Sequence, residues 1–293
     1  MNGRPTLLDA VRRETPLILP LAHDALSARL IERAGFHAFA IGGSAMLASR
    51  YALPDLGIAA LGEMVAGARD VAAASRLPFV MDGDDGYGDV KSVRQLMRLY
   101  AELGVGGVVL EDQGRSGKQP GDSRSKGVVP TEELEGKIRA ARAAREGAEP
   151  LIIARSDARP IEGLDAAMRR CERYLAAGAE GVFIPGLRDA AEIERVGAAF
   201  RGVQLMLALV DGGGTPWLPP AELGRMGFTM ISYPGATMLR AVAAIVDGLA
   251  ELREAARGGA MKPFDRHAAA RAAMDGALDL AAWREFEGKF AGT

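Results

Sequence analysis

The densest chemistry in the chain lies in ten residues, Val80-Met81-Asp82-Gly83-Asp84-Asp85-Gly86-Tyr87-Gly88-Asp89. Four carboxylates, Asp82, Asp84, Asp85 and Asp89, fall within eight positions among three glycines. Unpaired, they repel one another. A hard cation such as Mg²⁺ is the simplest neutraliser, because it binds carboxylate oxygen and keeps several waters. Alternation places Asp82 and Asp84 on one face at the end of the apolar run Leu77 to Met81. The glycines let backbone approach a ligand. The plainer alternative is a solvated acidic turn, since Asp and Gly are ordinary turn residues.

Other reactive groups also follow apolar runs: His23-Asp24, Gly42-Gly43-Ser44, Glu111-Asp112-Gln113, Arg155-Ser156-Asp157 and Asp211. The elements that must position them can be read from periodicity. Strands are predicted at Leu17 to Ala22, Ala38 to Ile41, Leu77 to Met81, Val108 to Leu110, Leu151 to Ala154, Gly181 to Pro185, Gln204 to Val210 and Phe228 to Ser232. Between them apolar residues recur at helical spacing, as in Val93, Leu96, Met97, Tyr100 and Leu103. Helices are expected to end at Gly35, Gly104, Gly178 and Gly227, where glycine suits a left-handed C-cap just before a strand. Thr131 is expected to cap the helix after Pro130. Eight strand-then-helix units predict an α/β fold, a (β/α)8 TIM-type barrel over residues 1–258. Residues 259–293 form a C-terminal extension, with extra helices expected over 263–290. In such a barrel the strand C-termini share one mouth, so the scattered polar turns become one pocket.

Composition bounds the function. The 293 residues carry a net charge of −2 and are 48% hydrophobic. No global basic field points to nucleic acid or an anionic membrane. No apolar run has transmembrane length and no apolar signal core opens the chain, so a cytoplasmic protein is expected. The single Cys171 excludes an intrachain disulfide and a multi-cysteine zinc site. It lies in the apolar stripe of a helix and reads as packing. Three dispersed histidines do not make a histidine-rich metal site.

The ordered marks His23-Asp24-Ala25-Leu26-Ser27-Ala28, Leu53-Pro54-Asp55, Asp82-Gly83-Asp84-Asp85-Gly86-Tyr87-Gly88, Glu111-Asp112-Gln113, Ala154-Arg155-Ser156-Asp157-Ala158-Arg159 and Gly213-Gly214-Thr215-Pro216 add a second line of inference. With them, the chain resembles the isocitrate lyase/phosphoenolpyruvate mutase superfamily from about Leu17 to Leu252. The resemblance implies Mg²⁺, with Mn²⁺ as a substitute, bound directly by Asp82. Asp84, Asp55 and Glu111 then hold the metal's waters. It implies that Gly42, Gly43 and Ser44 grip a substrate carboxylate and that Arg155 anchors its oxyanion side. It further implies a small 2-oxo or 2-hydroxy acid substrate, an enolate intermediate, and a homotetramer, a dimer of dimers that exchanges C-terminal helices.

The departures from the pattern are equally specific. Where lyases of the superfamily carry Lys-Lys/Arg-Cys-Gly-His, this chain has Lys118-Gln119-Pro120-Gly121-Asp122. Where they carry Phe-Pro-Glu, it has Phe183-Ile184-Pro185-Gly186, and their strand-seven asparagine falls at Ala208. The enolate-stabilising half of the site is kept and the proton-transfer half is altered. Residues 114–127 read as a polar loop of lid length. Lys118, Asp122, Arg124 and Lys126 are its candidates for catalysis or anion contact, against the plainer reading of solvated charges. Gly213 and Thr215, after strand seven, are candidates for substrate contact, against a flexible turn. A C–C lyase or an oxaloacetate-type decarboxylase is expected. The alternatives are a phosphonopyruvate or phosphoenolpyruvate C–P mutase or hydrolase, and a barrel that binds a 2-oxo acid without turning it over.

Overall fold

In the computed structural model, which describes residues 5–115, 118 and 127–291, eight parallel strands run in the order β1-β8-β7-β6-β5-β4-β3-β2. They are β1 (Leu17–Pro20), β2 (Phe39–Ile41), β3 (Phe79–Asp82), β4 (Gly107–Glu111), β5 (Leu151–Arg155), β6 (Gly181–Phe183), β7 (Gln204–Ala208) and β8 (Met230–Tyr233). Closure comes from a parallel bridge between Leu21 and Ala40, where the Ala22 N–H donates to the Ala40 carbonyl at 2.9 Å. The fold is the expected (β/α)8 barrel. β6 stops at Phe183, short of the predicted Pro185.

The helices between strands are α2 (Ala25–Arg33), α3 (Gly43–Tyr51), α4 (Leu61–Ala74), α5 (Val90–Leu103), α6 (Thr131–Ala144), α7 (Arg159–Glu162), α8 (Leu164–Ala177), α9 (Ala190–Ala199) and α10 (Pro220–Met226). Local sequence sets their ends. Asp24 and Asp89 cap α2 and α5 by accepting N–H bonds from the first turn. Gly104, Gly178 and Gly227 adopt the left-handed conformation that closes α5, α8 and α10 and turns the chain into the next strand. Thr131 does not cap. It is the first residue of α6, with Pro130 before it and no side-chain cap.

Alternation along each strand sorts residues between two cores. Leu17, Leu19, Val80, Val109, Ile153 and Met230 fill the barrel's interior. Helix α1 (Leu7–Arg13) adds Leu7, Ala10 and Val11 to this interior cluster, next to the start of β4. The opposite residues, such as Val108, Ile152 and Val182, pack under the helices. Cys171 is buried in that outer layer, and burial pushes its thiol up. It is packing, as its stripe implies.

After β8 come α11 (Met238–Ala256), α12 (His267–Ala277) and α13 (Leu280–Phe290). Neither α11 nor α13 contributes a buried residue. α12 meets α2, with Ala277 buried and Arg29 paired to Asp279 at 3.1 Å. No helix among the described residues is long and apolar enough to cross a membrane.

Candidate active site

The interior row of each strand continues upward into the mouth. Two residues beyond Val80, Val109 and Ile153 stand Asp82, Glu111 and Arg155. Glu111 and Arg155 are register partners on β4 and β5, and Arg155 Nη1 lies 3.0 Å from Glu111 Oε2. Nη2 donates to Asp157 Oδ1 at 2.8 Å, and the guanidinium stacks 5.6 Å from the centroid of Phe183.

Asp82 is held by backbone. Its Oδ1 accepts from the Asp84 N–H at 3.0 Å and its Oδ2 from the Gly43 N–H at 3.2 Å. Tyr100 donates to its carbonyl at 2.7 Å. Gly83 is required here: a Cβ would lie 2.9 Å from the Val109 carbonyl oxygen. That close approach lets the Gly83 N–H bond the same carbonyl and carries Asp84 inward beside Glu111.

Lys118 joins these acids. Its ammonium pairs with Asp84 and lies 3.1 Å from Asp55 Oδ1 and 3.6 Å from Glu111 Oε1. It is buried, contrary to the reading of a solvated loop charge. A buried ammonium is favourable only among such partners. Burial opposes its charge, but the surrounding carboxylates outweigh burial and hold its pKa above the ordinary lysine value. Burial, then the charge of Asp82, pushes the Asp84 carboxyl up to about 6. Burial likewise raises Glu111 and Asp55, although Arg155 and Lys118 pull Glu111 back and Lys118 pulls Asp55 back. The acids therefore exceed the cations around them.

Below the mouth, buried Asp112 accepts from Ser156 Oγ at 2.7 Å, the Asp157 N–H at 2.8 Å and the Tyr174 hydroxyl at 2.9 Å. It fixes the turn that follows Arg155. The Nε of Arg155 and Oδ2 of Asp157 are buried without a hydrogen-bond partner among the described residues. Neither Asp112 nor Tyr174 had a functional signal of its own in the sequence; only the adjacency of Asp112 to Glu111 marked it.

Above these groups lies a cavity of about 230 Å³, lined by Gly42, Gly43, Ser44, Asp55, Asp82, Lys118 and Arg155. It is smaller than the roughly 300–1,000 Å³ of drug-sized sites and suits a small metabolite. The structure thus brings together Gly42, Gly43, Ser44, Asp55, Asp82, Asp84, Glu111, Lys118 and Arg155. Gly213 and Thr215 do not line this cavity: Gly213 is exposed in the turn after β7, and Thr215 is buried. Asp85 and Asp89, counted among the acids needing a cation, have local partners instead. Asp85 pairs with Arg115 at 2.9 Å, and Asp89 caps α5. His23 and Asp24 line a separate groove beside α2, and Asp211 does not line the mouth. Asp122, Arg124 and Lys126 lie outside the described residues.

Among the described residues no three acidic side chains converge as direct ligands of one ion. The donor set is nevertheless all oxygen: one carboxylate on the floor and three acids around it. That suits Mg²⁺, which takes one or two carboxylates directly and keeps its waters. The residues fit such an ion: Asp82 would touch it, and Asp55, Asp84 and Glu111 would hold its water shell.

The phosphoenolpyruvate phosphomutase family profile matches residues 8–253. The chain is 35% identical over 247 residues to a 2,3-dimethylmalate lyase of Eubacterium barkeri, covering 84% of this chain and 85% of the relative. It superposes on oxaloacetate acetylhydrolase bound to the inhibitor 3,3-difluorooxalacetate with a TM-score of 0.88 and 29% identity, over 98% of this chain and 97% of the other. A phosphonopyruvate hydrolase in complex with oxalate and Mg²⁺ superposes with a TM-score of 0.78 and 26% identity, over 96% of each chain.

Proposed function

The chain belongs to the phosphoenolpyruvate phosphomutase family, within the isocitrate lyase/phosphoenolpyruvate mutase superfamily, and from that premise we propose that it is a Mg²⁺-dependent enzyme that breaks a C–C bond next to an enolate. Its substrate is a small 2-oxo or 2-hydroxy carboxylic acid. The observation that carries this reading is the top layer of the barrel, where Asp82, Glu111 and Arg155 meet Asp55, Asp84 and Lys118 beside one small cavity.

Each group has a role in that reading. The Gly42 and Ser44 N–H groups, on either side of the Gly43 N–H that already donates to Asp82, hold the substrate carboxylate. Asp82 would hold Mg²⁺, which when bound would supply Lewis-acid polarisation of the 2-oxygen. Arg155 and Lys118 add fixed positive charge on the same side, where a buried site makes it count most. Gly213 and Thr215 lie outside the cavity's lining. Loss of the lyase cysteine and histidine is tolerable for decarboxylation, because water can return the proton. Four acids around one cavity outnumber the two cations, Lys118 and Arg155, that meet them, which favours an enzyme with a bound cation over a barrel that only binds.

The helices after β8 support a homo-oligomer in this reading. On α11, Leu239, Val242, Ile245, Val246, Leu249 and Leu252 are exposed. An apolar groove of about 720 Å³, lined by Leu26, Leu30, Ile31 and Phe36, runs beside α2. A second copy's α11 fits that groove in chemistry, and residues 259–293 extend the contact towards a dimer of dimers.

The test is a Mg²⁺-supplemented screen of oxaloacetate, 2-methylisocitrate, 2,3-dimethylmalate and phosphonopyruvate, with pyruvate and phosphate measured separately. Pyruvate without phosphate, abolished by chelation, is the expected result. Phosphate release would assign C–P chemistry instead.

A further inference from the structure

The mouth of the barrel is divided into unlike halves. From β2 to β5 its top positions carry Gly42, Asp82, Glu111 and Arg155, with Asp55 and Lys118 beside them. From β6 to the segment after β8 they carry Phe183, Pro185, Met206, Ala208, Val210 and Pro234. Among the described lining residues of this second half, Ser232 has the one polar side chain, and its hydroxyl donates to the Leu207 carbonyl at 3.4 Å.

The division follows from the strands. Phe183 and Met206 continue the interior core into the cavity, as Val80 and Val109 do opposite. Above Val80 and Val109 the row turns acidic; beyond Phe183 and Met206 it stays apolar, at Pro185 and Ala208. A 2-oxo acid must place its carboxylate and 2-oxygen on the charged half, because a desolvated carboxylate needs donors. Whatever C3 carries then projects over the apolar half.

That arrangement favours one direction of electron flow. If the C2–C3 bond breaks, the electron pair leaves with C3, and negative charge develops over the apolar half. If the C–P bond of a phosphonate breaks, a highly charged phosphoryl group departs over it. Decarboxylation runs the other way. The bond from C3 to its carboxylate breaks, and the pair moves through C3 to the 2-oxygen. The carboxylate leaves as neutral CO₂, and C3 of the enolate then takes a proton from water. Charge moves from the apolar half to the charged half, so the site complements the transition state better than the bound substrate.

Resting on the enolate reading above, we infer that the substrate is a 2-oxo acid with a carboxylate on C3, of which oxaloacetate is the simplest, and that the wall formed by Phe183, Met206 and Ala208 receives the departing CO₂ and sets this specificity. Phe183, with the Arg155 guanidinium over its ring, marks the wall's edge with the charged half, while Met206 and Ala208 act by lacking hydrogen-bond donors. An amide placed there would hold the carboxylate in the ground state and lose its partner as CO₂ forms.

The experiment uses the full-length, Mg²⁺-loaded protein with oxaloacetate, and products are identified by NMR. Wild type should give pyruvate and CO₂; oxalate with acetate would overturn the inference. Ala208→Asn and Met206→Gln should each lower kcat at least about tenfold with KM unchanged or lower. Met206→Leu, which keeps the wall apolar, should retain at least about fivefold more kcat than Met206→Gln. Wild-type kcat in both amide variants would overturn the wall's role. Turnover of another acid of the screen but not of oxaloacetate would overturn the inference and leave the enolate reading standing. No turnover of any acid, together with no Mg²⁺-dependent binding of oxalate, would remove both.

Discussion

Lys118 sits deeper than a lysine in a run of Gly, Ser, Arg and Asp suggests. It lies among Asp55, Asp84 and Glu111, so its removal leaves acids without their nearest cation. Breaking a buried ion pair costs about 3–5 kcal/mol at the upper end, less where an acid can take up a proton. Lys118→Ala should therefore lower the melting temperature of the metal-free protein, and added Mg²⁺ should recover part of it. It should also lower kcat/KM at least about tenfold, or about 1.4 kcal/mol. A melting curve and kinetics identical to wild type would return Lys118 to the role of a surface charge. Asp82→Ala should act differently on stability. Like-charge repulsion falls, but the Asp84 and Gly43 N–H groups lose their acceptor, so the metal-free fold should change little, while Mg²⁺ affinity and activity are lost. Titration calorimetry checks the affinity, and wild-type turnover in this variant would refute the metal assignment. Asp82, Glu111 and Arg155 were legible in the sequence because each ends an apolar run. Lys118 was visible only as one candidate among four, since long-range pairing leaves no local mark. Asp85 misled for the same reason, since its partner Arg115 lies thirty residues on, whereas Asp89 is a local cap of α5.

At the scale of elements, β5 and the turn after it carry the site's fixed cation. Asp112 binds that turn through Ser156, the Asp157 N–H and Tyr174. Asp112→Ala would leave those buried donors unmet, each at about 1–3 kcal/mol. A loss of about 3 kcal/mol or more in denaturant unfolding is expected, with kcat falling as Arg155 loses its rigid support; a loss below about 1 kcal/mol would contradict it. Helix α11 poses the other question, because Ile245 is 60% exposed on a helix with no buried residue. Ile245→Glu with Leu249→Glu should convert the oligomer to monomer by sedimentation, and truncation after Gly258 should dissociate or aggregate it. A wild-type monomer at micromolar concentration would refute the assembly. Strand order and helix caps were readable because periodicity and capping are local. The apolar C-terminal helices were readable as surplus hydrophobic surface, but not what covers them.

At the scale of the whole molecule, the barrel explains how turns far apart in sequence share one cavity. Alternation fixes which residue of each strand points inward, and parallel register sets their heights: Glu111 is level with Arg155 and Phe183 with Met206, while Asp82 pairs with Val109. The fold was therefore legible almost entirely. The site was legible on its charged side, where residue type announces chemistry. Its apolar side was not, because Met206 and Val210 look like any core residue until the register lifts them into the mouth. The central claim is that the charged side holds a hydrated Mg²⁺ against a planar, enolate-like dianion. Calorimetric titration of oxalate, with and without Mg²⁺, tests it most directly. Binding that requires Mg²⁺ and disappears in Asp82→Ala is the predicted result; oxalate binding of equal strength in chelator, or undiminished in Asp82→Ala, would contradict it.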